Sequence, residues 1–71
     1  MVFFYERKGQ FIRCESRPAD PGPGFELVVV YPDGREEIEH FDDGVELNLR
    51  QMQLESDLTV HGWFGPHGRV I

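Results

Sequence analysis

Residues 43–61 constrain this chain more than any other stretch, because as a helix they carry apolar side chains on two opposite sides. At about 100° per residue, Val45, Leu49, Met52 and Val60 form one stripe, with Ser56 in its gap. Leu47, Leu54 and Leu58 lie roughly opposite. Glu46, Arg50, Gln53 and Asp57 fill one polar flank; Asn48, Gln51, Glu55 and Thr59 fill the other. A helix that only covers a sheet needs one apolar stripe and turns a polar back to water. Two stripes ask for a sheet inside the fold and a partner beyond it.

The ends of this helix are marked in the sequence. Asp43 is placed as an N-cap, with Glu46 three residues later as its capping-box partner. Gly62 supplies the left-handed residue that follows a C-cap, and Trp63 is then expected to fold back against Leu58. Val45, Leu47 and Leu49 also alternate with a period of two, which would fit a strand and delay the helix start. The stripe of Val45, Leu49 and Met52 continues to Val60 and is the expected sheet side. Leu47, Leu54 and Leu58 are then the candidate outer interface, although Trp63 against Leu58 argues the reverse.

Four strands are expected upstream. Residues 2–8 and 10–16 are rich in Phe, Tyr, Ile and Val around Gly9, the composition of paired strands about a turn. A two-residue Lys8-Gly9 loop opposes Arg7 to Gln10, Tyr5 to Ile12 and Phe3 to Cys14. Phe3, Tyr5, Ile12 and Cys14 then share one apolar face. Val2, Phe4 and Phe11 share the other face with Glu6, Arg13 and Glu15. The segment RPADPGPG at 17–24 holds three prolines and two glycines, so it reads as a stiff connection rather than helix or central strand.

Residues 25–31 hold the unbroken apolar run Leu27 to Tyr31, expected of a strand covered on both faces. Pro32-Asp33-Gly34 then turns the chain. A three-residue loop opposes Val28 to Ile38; a two-residue loop opposes Val29 to Ile38 and swaps the faces. Residues 35–41 return as a strand whose Glu36, Glu37 and Glu39 suit an unpaired edge. The expected fold is therefore α+β: a four-stranded antiparallel meander followed by one C-terminal helix, ββββα, with a tail over 62–71.

Seventy-one residues suggest one small domain with a modest core, a size at which a cross-link, a metal or a partner subunit commonly helps. Cys14 is the single cysteine, which excludes an intrachain disulfide and a cysteine-based zinc site. The apolar start Val2 to Tyr5 runs directly into Glu6-Arg7-Lys8, unlike a signal peptide. No apolar run reaches membrane-spanning length, so a cytoplasmic protein is expected.

The net charge of −6 opposes the counterion release that drives nucleic-acid binding. The charge is also uneven. Residues 1–17 carry four basic groups against two acidic ones, whereas residues 18–60 carry eleven acidic groups against Arg35 and Arg50. The basic first hairpin could therefore meet the acidic remainder of a second copy.

No constellation of reactive groups stands out. His40, His61 and His67 match no zinc-ligand spacing, and His61 suits a helix C-terminus, where the dipole favours a cation. Cys14 falls mid-strand and Ser56 mid-helix, away from the strained turns that present nucleophiles. Adjacent acids such as Glu36-Glu37 point to opposite faces of a strand. The glycines stand singly, without a phosphate-binding loop.

Phe4, Phe11 and Arg13 on the second sheet face fit a single-stranded nucleic-acid platform, where bases stack on aromatics beside arginines. The order of four strands and a helix is similar to that of the Whirly-like single-stranded DNA binders, an analogy of element order. The leading expectation is a non-catalytic interaction module, a homodimer, with no cofactor or metal. Its candidate interface is Leu47, Leu54, Leu58, Phe4 and Phe11. A protein partner other than itself is compatible, and a histidine-based metalloenzyme is the most remote reading.

Overall fold

A computed structural model describes residues 1–69 of the chain. Five strands and one helix follow in the order β1 (Val2–Arg7), β2 (Gln10–Pro18), β3 (Phe25–Val30), β4 (Glu36–Phe41), α1 (Gly44–Val60) and β5 (Phe64–Arg69). The sheet is antiparallel with strand order β4-β3-β2-β1-β5. The predicted four-stranded meander and following helix are present. The fifth strand is the correction to ββββα: the chain leaves the helix and returns along the free edge of β1. Val70 and Ile71, the last residues of the predicted 62–71 tail, lie outside the described residues.

The first hairpin closes as its turn chemistry dictates. Lys8 and Gly9 both have positive φ, at 50° and 79°, the backbone of a type I′ turn whose twist matches that of the strands. Arg7 pairs with Gln10, Tyr5 with Ile12 and Phe3 with Cys14, the register expected for a two-residue loop. The second hairpin takes the three-residue alternative. Gly34 N–H donates to the Tyr31 carbonyl at 2.9 Å, Gly34 has φ of 88°, and Val28 pairs with Ile38. The Asp33 side chain accepts from Arg35 N–H at 2.9 Å, which secures the turn.

The helix is capped at both ends as its sequence implies. Asp43 Oδ1 accepts from Glu46 N–H at 2.9 Å. At the other end Gly62 N–H donates to the Thr59 carbonyl and Trp63 N–H to the Leu58 carbonyl, both at 3.0 Å. With Gly62 at φ 87° this is a Schellman motif, and it brings Trp63 back to Leu58 within one buried cluster. The strand-like alternation of residues 45–49 does not delay the helix, because the Asp43 cap starts it at Gly44.

One face of the sheet holds the core. Phe3, Tyr5, Ile12, Cys14, Leu27 and Val29 meet Leu47, Leu54, Leu58 and Trp63 in a single cluster. The helix contacts β3 and β4 and also reaches β5, so it crosses the face and joins the two edges of the sheet. Two polar ties hold it, one within the helix and one at its C-terminus. Arg50 Nε donates to Glu39 Oε1 on β4 at 2.8 Å. Arg7 lies over the Trp63 ring at 4.6 Å and donates to the His61 carbonyl at 2.9 Å, a cation set at the negative end of the helix dipole.

The stripes are assigned opposite to expectation. Leu47, Leu54 and Leu58 are the buried helix residues, while Val45, Leu49, Met52 and Val60 face outward. Trp63 is the physical reason. Its Schellman contact fixes Leu58 inward, and Leu54 and Leu47 lie one and three turns back on the same side.

Candidate interaction surfaces

Two apolar surfaces remain open on opposite sides of the fold. The first is the sheet face turned away from the helix, which no element covers among the described residues. Cross-strand pairing orders it in rows. Phe11, Glu6 and Phe64 form the row nearest the first turn. Glu36, Val30, Arg13, Phe4 and His67 form the next, followed by Ile38, Val28, Glu15 and Val2. Phe11, Ile38 and Phe64 are 53%, 52% and 70% exposed, whereas Phe4 and Val30 are half-buried.

An ion-pair ladder runs down the centre of this face. Arg13 meets Glu15 at 3.5 Å, Arg17 meets Glu15 at 3.9 Å, and Arg17 meets Glu26 at 3.1 Å. Glu15 stands between Val2 and Val28 in its row. Long charged side chains of this kind lay their apolar stems along a neighbouring surface, which accounts for the burial of Val2 and Val28 beside Glu15 where no described element lies over them. The unbroken apolar run of β3 was expected to mean two covered faces; one cover is the helix and the other is this ladder.

The second surface is the outer stripe of α1. Val45, Leu49, Met52 and Val60 are more than half exposed. At Met52 the stripe opens into a groove of about 400 Å³ between the helix and the start of β1, floored by Phe3 and Tyr5 and walled by Met1, Met52, Pro66 and Glu55. Burial, with Cys14 and Glu55 as negative neighbours, pushes the Tyr5 hydroxyl up to about 12.

The predicted interface residues therefore divide. Leu47, Leu54 and Leu58 lie in the core and present no outer surface, because the helix is rolled the other way. Phe4 and Phe11 do share the open sheet face. Phe64 is the surface residue that sequence reasoning missed. Its tail was not read as a strand, so nothing placed it opposite Glu6. Of the nucleic-acid candidates, Phe4, Phe11 and Arg13 are on one face, but Arg13 is paired with Glu15. Glu6, Glu15 and Glu36 stand beside them. The helix is followed by a strand, so the element order also departs from four strands and a final helix.

The histidines do not converge. His40 is on β4 and His67 on β5, at opposite edges of the sheet, at least about 19 Å apart at four strand spacings. His61 is the helix C-cap. Its Nδ1 lies 2.7 Å from the Asp57 carbonyl, a contact that requires a proton on that nitrogen. His40 Nε2 lies 3.2 Å from the Pro23 carbonyl, where it holds the proline-rich loop against β4. Among the described residues no three histidine, cysteine or acidic side chains are grouped to hold a metal ion. No described helix is long and apolar enough to cross a membrane. No protein family, curated protein or solved structure matches the chain.

Proposed function

We propose that this protein is a small non-catalytic interaction module that pairs with a second copy of itself through the open face of its sheet. The observation that carries this reading is the exposure of Phe11, Ile38 and Phe64 around half-buried Phe4 and Val30 on a face that no described element covers. Three aromatic rings and two aliphatic chains on one sheet face are the material of a two-layer contact.

Size and charge favour a second copy as the occupant. Five strands span about 24 Å and six residues about 20 Å, on the order of 500 Å² of sheet from each copy. Two such footprints reach the roughly 1,000 Å² at which specific association begins. Arg13, Glu15, Arg17 and Glu26 balance one another within the face, so a twofold stack has only the like charges of Glu6 and Glu36 to keep apart. A phosphate backbone finds less here: Arg13 and Arg17 are neutralised, and the carboxylates of Glu6 and Glu36 repel it.

Gel filtration with light scattering at micromolar concentration tests the proposal. The expected mass is that of a dimer for the parent chain and of a monomer for Phe11→Glu and Phe64→Glu, with unchanged far-ultraviolet dichroism. A parent chain that runs as a monomer sinks the idea. Salt-dependent binding of a mixed-sequence oligonucleotide, lost in Phe11→Glu, would put the nucleic-acid reading in its place.

A further inference from the structure

We infer that the outer stripe of α1, together with the groove at Met52, is a docking site for a basic amphipathic peptide segment of another protein. This surface lies on the opposite side of the molecule from the sheet face and is independent of self-pairing. Val45, Leu49, Met52 and Val60 run for about four turns, roughly 22 Å at 1.5 Å per residue, all more than half exposed. That is about twice the ~10.5 Å spanned by one i, i+3, i+4 and i+7 anchor set of an amphipathic helix, so the stripe has room for one.

The groove gives such a peptide an anchor point. Met52 belongs both to the stripe and to the groove wall, and Met1 faces it across the opening. The chain contains two methionines, and both are here. Unbranched thioethers re-pack around side chains of differing shape, which is why they recur on peptide-binding surfaces. A volume of about 400 Å³ accepts one large apolar side chain.

Charge decides what flanks that anchor. Glu46 and Asp57 border the stripe on one side and Glu55 borders it on the groove side. None of the three is ion-paired among the described residues. Arg50, the one cation of the helix, turns away to Glu39 at 2.8 Å. Asp42 and Asp43 add negative charge at the N-terminal end. An apolar strip with an acidic rim complements lysines and arginines spaced around apolar anchors. The same rim disfavours the other occupants. A second copy packed antiparallel on this stripe would set Glu46 beside the partner's own Asp57, and an anionic lipid surface would be repelled.

Fluorescence anisotropy of a labelled leucine–lysine amphipathic peptide tests the site on the full chain. Saturable binding is expected, weakened at least about tenfold by the pair Leu49→Asn and Met52→Asn. Glu55→Gln with Asp57→Asn should weaken it too. Leu49, Met52 and Asp57 are exposed and Glu55 is half-buried on the helix flank, and dichroism checks that each variant is folded. Binding of a scrambled, non-amphipathic peptide of the same composition with equal strength would overturn the proposal, as would indifference to Leu49 and Met52. A fall in oligomeric mass caused by Met52→Asn in the absence of peptide would also overturn it, by making a second copy the occupant. Because Phe11→Glu leaves this surface intact, it should bind the peptide even if the chain never dimerises.

Discussion

Cys14 shows what full burial does to a reactive group. It has no exposed surface, pairs with Phe3 on one side and Val29 on the other, and its thiol is pushed from 9.0 up to about 12 by burial. Tyr5, also inside the core, is raised from 10.0 to about 12 by burial and by its negative neighbours. Both groups are held in their neutral form by the fold. Once the pH passes 9–10 the unfolded chain loses these protons while the folded chain keeps them, so stability falls as pH rises towards 12. Below about pH 8 neither group changes stability. Urea midpoints measured at pH 8 and at pH 10.5 should show this loss, and Cys14→Ala with Tyr5→Phe should flatten it. In native buffer at pH 8 the thiol should resist an aromatic disulfide reagent and react fully in denaturant. Both consequences follow from a position legible in the sequence, since the Lys8-Gly9 turn alone sets the register that puts Cys14 opposite Phe3.

Glycine explains two tight approaches that no pattern announced. A Cβ at Gly65 would lie 2.7 Å from the Phe4 carbonyl, and one at Gly24 would strike the Phe41 carbonyl. These residues let β5 close on β1 and the proline-rich loop close on β4.

Among the elements, the helix was best defined by its own residues and still misassigned in its roll. Asp43 and Gly62 bound it by local chemistry, through hydrogen bonds that span a few residues and need no tertiary context. Which stripe faces inward is a different question, since both stripes are apolar and both have helical spacing. Burial distinguishes them. Leu54→Ala should cost about 2–5 kcal/mol, the range for emptying a buried leucine site. Leu49→Ala, on the 56% exposed stripe, should stay within about 0.5 kcal/mol in the isolated chain. Urea unfolding of the two variants measures the contrast, and equal losses would mean that both stripes are internal. The β5 segment FGPHGR was illegible for a related reason. Proline and glycine deplete strand propensity, but an edge strand paired on one side tolerates a missing N–H. The register shift between Phe4 and Glu6 accommodates the irregular stretch.

At the scale of the whole molecule, the described helix and five strands leave two apolar surfaces facing opposite ways, a sheet face of aromatics and a helix stripe with an acidic rim. If the sheet face pairs two copies, unfolding is coupled to dissociation and the midpoint depends on concentration. The thermal midpoint should then rise by about 3–6 °C per tenfold increase in protein. Phe11→Glu should abolish that slope. A parent chain whose midpoint ignores concentration would count against pairing.

Residues near one another in the chain determined the turns, the helix caps, the hairpin registers compatible with each loop and the acidic edge strand, because dihedral preference and capping bonds act over a few residues. Only the tertiary structure decided the roll of the helix, the fifth strand and the ladder that shields Val2 and Val28. Each of these depends on what a segment meets across the fold: the helix leucines on Phe3, Tyr5 and Ile12, β5 on β1, and Arg17 on Glu26 of the next strand. The two-sided helix by itself announced a partner for its second stripe. Burial named that stripe as Val45, Leu49, Met52 and Val60, because one buried cluster with Trp63 had already claimed the other.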